Sequence, residues 1–397
     1  MRKALIISVG TGTKPSPEAI ESLANAIAFS IENNHPDQTI FITSKESVKN
    51  TIPKILEKTK PQNFEIIKIA NPDDIQQTYE EIKQKLKEIR HNFDHITIDY
   101  TSGTKAMTGA LTILGTIIEA DTLSYISGKR KGGIVQQGTE KLNTVRPLFA
   151  ITEQKTKVAI QFFNKHQFDS TISIINQIEK TTKDQDLTNQ LTPLKKAAQA
   201  YQQWDKFQHQ EAHQKLTQIK KETLSKNKRF LGKLTHSKEK EPYYIADLIN
   251  NAKRRGNKEK KHDDAVARLY RTIELLAQYQ LKRKYNIEPS SAKPKDIPKT
   301  LHKKWNIDTK TQKIQIPLEK AYELLQAKND ELGKKFAQDN ELKNLLAKRN
   351  NSILAHGLNP VNEETYLKLY QKVIQYASTI IEKLHSLLQD STFAEWN

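Results

Sequence analysis

Three short stretches carry residue types whose spacing suits chemistry. Gly10-Thr11-Gly12-Thr13 and Asp99-Tyr100-Thr101-Ser102-Gly103-Thr104-Lys105 each follow an apolar, β-type run, and six residues separate Arg349 from His356. In the first two, glycines let the backbone approach a ligand, and hydroxyls and N–H groups donate to phosphate oxygens. A helix starting near Thr104 would add its positive N-terminus, and Lys105 a formal charge. Ordinary strand–helix turns use the same residue types, but two such turns on neighbouring strands suit a phosphorylated ligand. Two familiar phosphate motifs do not fit. Pro15 occupies the third glycine position of G-x-G-x-x-G, Ile42-Thr43-Ser44 offers no acid to a ribose, and Ser102-Gly103-Thr104-Lys105 is not a P-loop.

The third stretch, Leu342 to His356, reads as a helix ended by Gly357. Positions 342, 345/346, 349, 352/353 and 356 fall on one stripe, and Arg349 and His356 would lie two turns apart, about 10 Å along the axis. A charge on an otherwise apolar stripe needs a partner or a job. Arg–His pairs at such spacing also arise by chance.

The elements that must hold these residues differ along the chain. Residues 1–150 alternate strands (Ala4–Val9, Thr39–Thr43, Glu65–Ile69, His95–Asp99) with helical spacing near 17–33, 45–59, 73–91 and 104–119. That alternation predicts an α/β, Rossmann-like domain with a parallel sheet, closed by β-type pieces at 122–127 and 133–145. Both glycine turns would then emerge at the carboxyl edge, where ligands bind. Residues 151–240 read as an all-α spacer. A shift of 41 positions superimposes Ala159 on Ala200, Phe163 on Trp204, Thr171 on Ala212, Ile175 on Leu216 and Ile178 on Ile219, which suggests two helical hairpins. Residues 241–397 read as an all-α bundle. It has a helix from Asp263 to Leu281, a long connection over 286–316, and helices at 318–327, 339–356 and 362–389.

Composition narrows the partners. Cysteine is absent from the 397 residues, which excludes disulfides, thiolate metal sites and a Cys nucleophile. The first apolar run is too short for a signal peptide and no run approaches a membrane span, so a cytoplasmic protein without membrane contact is expected. Residues 1–150 carry 19 Lys+Arg against 17 Asp+Glu, and residues 151–397 carry 45 against 29. The neutral front and basic back point to an anionic partner for the back, nucleic acid before others.

These residues reach two resemblances. Asp99 to Met107, with Gly10–Thr13 before it and Tyr125–Ile134 and Gly138-Thr139-Glu140 after it, resembles the CARF domain, the CRISPR-associated Rossmann fold that senses cyclic oligoadenylates. Ser102 stands where that family usually has a glycine. Arg349, Asn350 and His356 resemble the HEPN ribonuclease motif R-x4–6-H. Together the two resemble the CARF–HEPN effectors of type III CRISPR defence. The resemblance implies a homodimer binding one adenylate ring, tetra-adenylate before hexa-adenylate, through Gly10, Thr11, Gly12, Thr13, Thr101, Ser102, Gly103, Thr104, Lys105 and Met107. It further implies a metal-independent endoribonuclease that needs no cofactor. Arg349 would stabilise the phosphorane, His356 would move a proton and Asn350 would hold the scissile phosphate as the RNA 2′-OH attacks. The ends would be 2′,3′-cyclic phosphate and 5′-OH. Two alternatives remain open: a catalytically inert, ligand-responsive nucleic-acid-binding regulator, and a ring nuclease working through Thr11, Thr13, Ser102 and Lys105.

Other signals have plainer readings. His209 and His213, four apart, lack a third zinc ligand and fit an exposed helix face. The acids of His262-Asp263-Asp264 fit an N-cap. Phe162, Phe163, Tyr201 and Trp204 fit hairpin packing. Lys253-Arg254-Arg255 through Lys261 fits an RNA grip and a solvated loop equally well.

Overall fold

The computed structural model describes residues 2–12, 16–131, 134–182, 185–307 and 313–397. The chain divides into two units, Met1–Lys157 and Val158–Asn397.

The first unit is built on strands β1 (Lys3–Val9), β2 (Gln38–Thr43), β3 (Phe64–Lys68), β4 (His95–Asp99) and β5 (Thr122–Ser127). A small hairpin follows, β6 (Arg130–Lys131) with β7 (Ile134–Val135), and then β8 (Lys141–Val145). The main sheet runs β3-β2-β1-β4-β5-β8, parallel except for β8. Strand β1 is apolar throughout because both its faces are covered. Leu5, Ile7 and Val9 pack with Ala24, Ile27 and Ile55, whereas Ala4 and Ile6 pack with Ile82, Leu111 and Leu114. The strand order reverses between β1 and β4, and a crevice forms at the carboxyl ends of strands flanking such a switch point. The single helix expected over 45–59 is two, Lys45–Asn50 and Ile52–Thr59. Pro53, in the first turn of the second, has no N–H to continue the first.

The second unit is helical. Helices Leu148–Asn164 and Phe168–Thr181 form one hairpin, Gln185–Asp205 and His209–Thr217 another. Their turns are alike: His166 and Phe207 are both left-handed at φ 62°. Gln167 and Gln208 donate backbone N–H groups to Phe162 and Gln203. The stretch 221–262, expected to be largely irregular, holds helices Ser225–His236 and Glu241–Lys253 and one π-helical turn, Arg254–Lys258. The bundle proper is His262–Tyr285, Leu318–Ala327, Glu331–Gln338, Asn340–Asn350 and Glu363–Ile380, around a core that includes Leu269, Ile273, Tyr322, Leu346 and Val373. The expected long connection contains a short helix, Lys299–Trp305, and the last expected helix breaks into Glu363–Ile380 and Leu384–Asp390. Among the described residues, no helix is long and apolar enough to cross a membrane.

Candidate functional site

At the switch point the two glycine turns touch. The Gly10 N–H donates to Ser102 Oγ at 3.0 Å, Ser8 Oγ donates to the Ser102 carbonyl, and Thr51 Oγ1 donates to the Gly10 carbonyl at 2.8 Å. A Cβ on Gly10 would lie 2.9 Å from the Gly103 backbone, and Gly103 itself is left-handed at φ +106°. Both positions therefore demand glycine, one by proximity and one by conformation.

Asp99 anchors this arrangement from beneath. Its fully buried carboxylate accepts from Ser30 Oγ (2.6 Å), Ser124 Oγ (2.8 Å) and the Thr101 N–H (2.8 Å), and burial raises its pKa above the usual carboxylate value. Thr104 caps the helix Lys105–Ile117 by accepting the Met107 N–H at 3.2 Å, and its hydroxyl donates to the Pro72 carbonyl. Thr101 Oγ1 accepts the Ile126 N–H at 2.8 Å. Three of the expected ligand hydroxyls thus already brace the turn. Thr11 and Lys105 have no hydrogen bond or ion pair among the described residues, and Lys105 is exposed. Gly12 is exposed at the lip, left-handed at φ +85°; Thr13 lies outside the described residues. Met107 departs from expectation. Its side chain is 0% exposed in the core under β1 and β4, since one turn into the helix the chain already faces the sheet.

The second site also differs from its expected form. The helix carrying Arg349 stops at Asn350, so no stripe runs on to His356. Asn350, Asn351 and Ser352 are short polar residues that favour turns over helix interiors, and the chain folds back through them. Ser352 N–H donates to the Arg349 carbonyl (3.0 Å), His356 N–H to the Asn350 carbonyl (3.1 Å) and Asn359 N–H to the Asn351 carbonyl (3.3 Å). A Cβ on Gly357 would meet the Asn351 carbonyl oxygen at 2.1 Å, so the return depends on glycine there. His356 is therefore held by a turn against the end of the Arg349 helix.

Arg349 places its guanidinium 4.4 Å over the Tyr270 ring, donates from Nη1 to Asn350 Oδ1 at 3.3 Å, and keeps a buried Nε–H without a partner among the described residues. Its charge is thus oriented by a ring and an amide, with no carboxylate to neutralise it. His356 is exposed and its imidazole makes no hydrogen bond among the described residues. Apolar side chains flank it in the open: Ile353 is 60% exposed, Leu354 46% and Leu358 86%. A cavity of about 530 Å³ lies beside Asn350, lined by Tyr270, Tyr322, Lys343 and Leu346 among others. The sequence gave no cue to Tyr270, which read only as one position of an apolar stripe.

The Csm6 HEPN domain model matches residues 233–380 and the Csm6 6H domain model matches residues 151–242. The solved structure of Enterococcus italicus Csm6 bound to cyclic hexa-2′-fluoro-hexa-dAMP is similar over 98% of each chain, with 14% identity and a TM-score of 0.66. The chain is a Csm6-type CARF–HEPN protein. No curated protein sequence matches it. In this Csm6-type chain both motifs singled out above fall where the architecture expects them: the glycine turns in the Rossmann-like unit, and Arg349, Asn350 and His356 within the HEPN match.

Of the discounted signals, His209 is buried and its Nε2 lies 2.7 Å from Asp247 Oδ2, so it faces inward rather than along an exposed face. Asp263 accepts the Val361 N–H instead of capping its own helix. Phe163, Tyr201 and Trp204 are core residues.

Proposed function

We propose that this protein is a cyclic-oligoadenylate-activated, metal-independent endoribonuclease of type III CRISPR defence, acting as a homodimer on single-stranded RNA. The observation that carries the reading is the meeting of Arg349, Asn350 and His356 at one helix end inside the segment that matches the HEPN family. The unneutralised guanidinium would take up charge on a pentacoordinate phosphorane. Imidazole is the side chain that exchanges protons near neutral pH, and an exposed ring can reach a 5′-leaving oxygen. Asn350 would orient the phosphate from beside Arg349. Attack by the RNA 2′-OH forms the new P–O bond as the P–O5′ bond breaks, which leaves a 2′,3′-cyclic phosphate and a 5′-OH.

In the front unit, Gly10, Thr11, Gly12 and Lys105 would meet the ring directly. Thr101, Ser102, Gly103 and Thr104 would shape the crevice, with Thr13 beside them. The exposed apolar residues around His356 support a composite site that a second copy covers. Because the similar Enterococcus protein holds a six-unit ring, activation is tested with hexa-adenylate as well as the tetra-adenylate expected from the sequence. A slower cleavage of the ring itself is a second reading, favoured by the unengaged Thr11 hydroxyl and Lys105 ammonium.

Product analysis tests the chemistry. Fragments should accept a 5′-phosphate from a kinase without prior treatment, and a 2′-deoxy substitution at the cleaved position should abolish cutting there. Fragments that already carry 5′-phosphate would contradict the mechanism.

A further inference from the structure

We propose that a cavity at the π-helical turn Arg254–Lys258 binds a phosphodiester group of RNA, as an anchoring site additional to the Arg349–His356 turn. RNA as the source of that phosphate rests on the ribonuclease reading; the anion site itself does not.

The turn is a local departure from helix. Glu259 N–H reaches the Arg254 carbonyl at 3.2 Å in an i to i+5 pattern, a rare geometry that is frequent at functional sites. It brings Arg254 inward, 5% exposed, with its guanidinium 3.9 Å from the Phe393 ring centre and Nε donating to Asp205 Oδ1 at 2.9 Å. Both terminal nitrogens, Nη1 and Nη2, are buried without a hydrogen bond among the described residues. The nearest carboxylate, Asp247, stands 3.7 Å from Nη2, and its oxygens are engaged by Trp204 Nε1 at 3.0 Å and His209 Nε2 at 2.7 Å. Buried donors left without acceptors are costly unless a ligand completes them.

The cavity they line measures about 200 Å³. Lys253, Lys258, Asn257 and His166 also face it, and Glu395 is the acid at its rim. His166 Nδ1 is a further buried atom without a partner among the described residues. Its ring is fixed by the left-handed hairpin turn and by contacts with Phe168 at 5.9 Å and Phe393 at 5.4 Å. Burial, then the charges of Arg254 and Lys258, drive the His166 pKa down to about 4, as expected of a positive field awaiting an anion.

A polyanion fits better than a lone phosphate because the cavity continues into a larger groove of about 880 Å³, which shares His166 and Lys258. Lys165, Lys206 and Lys261 line that groove and are exposed. Its acids are already engaged: Asp205 and Glu259 by Arg255, Asp169 by the Gln202 amide. Tyr366, in the helix that follows the His356 turn, donates its hydroxyl to Asn257 at 2.8 Å, which ties the cavity wall to the element beyond that turn.

The test measures binding of a fluorescein-labelled twelve-nucleotide RNA to the full chain carrying His356→Ala, by anisotropy over a range of KCl. Lys253→Gln with Lys258→Gln is compared with a control pair of equal charge change, Lys54→Gln with Lys87→Gln. The site pair should weaken binding about fivefold or more and lower the log–log salt slope by about 1–2, since each lost phosphate contact removes roughly 0.9. The control should change affinity less than twofold. Equal affinity and slope for both pairs overturns the proposal, as does a chain that binds no RNA. Stabilisation of the unsubstituted chain by inorganic pyrophosphate, lost in the site pair while RNA affinity is unchanged, would mark a small-anion site and overturn the RNA assignment. His166→Gln, which keeps the lysines, should weaken RNA binding without altering the salt slope. Loss of RNA affinity in a chain that never cuts RNA would keep this site and remove the ribonuclease reading; intact affinity in a chain that does cut would remove this site alone.

Discussion

At the scale of the residue, the account rests on two side chains with different jobs. Arg349 is oriented by Tyr270 and Asn350 and meets no carboxylate, so its charge is available to a developing phosphorane. Arg349→Ala should lower the single-turnover cleavage rate by about 10²–10³-fold, the usual loss when one electrostatic donor is removed. His356→Ala should cost about 10²–10⁴-fold, with the melting temperature unchanged because the ring is exposed. Stability has its own titrating residue. His166 in the folded chain has a pKa of about 4, below the ordinary 6.5. The unfolded chain therefore takes up that proton first, and stability falls as pH drops from 6.5 toward 4. The contribution is about 2–4 kcal/mol, so denaturant unfolding at pH 7 and pH 5 should show a smaller difference for His166→Gln than for the unsubstituted chain.

At the scale of the element, periodicity and turn chemistry decide what could be read in advance. Strand β1 was legible because Ala4 to Val9 is apolar on both faces, and β5 because Thr122–Ser127 follows a clear turn. The switch point followed from which strands carry the glycine turns. The end of the Arg349 helix was not legible: Gly357 is the conventional stop, yet Asn350, Asn351 and Ser352 end the helix seven residues earlier through local polar competition. Met107 illustrates the converse, since a motif position can serve the core while its neighbours serve the ligand. The buried Arg254 was hidden because a π turn has no sequence signature. The glycine contact between the β1 and β4 turns gives a direct prediction. Gly103→Ala, at φ +106° and 3.1 Å from Ser8 Cβ, should destabilise the chain by about 1–2 kcal/mol. Ring affinity should fall at least tenfold in calorimetry, while RNA cleavage chemistry at saturating ring stays intact.

At the scale of the whole molecule, the neutral Rossmann-like unit and the basic helical unit divide the labour between a small regulator and a polyanion. The apolar residues beside His356 make a prediction about assembly. Leu358→Asp, at a side chain 86% exposed, should leave the folded chain as stable as before but shift sedimentation velocity toward monomer and reduce cleavage in parallel. A dimer of unchanged affinity would separate that patch from the composite site. The central claim is that ring binding in front switches on RNA cutting behind. Its most direct test mixes the protein with labelled single-stranded RNA in EDTA, without ring and with cyclic tetra- or hexa-adenylate, beside the His356→Ala variant. The account predicts cutting with one ring only, and none in the variant; ring binding with no cutting under any condition would contradict it.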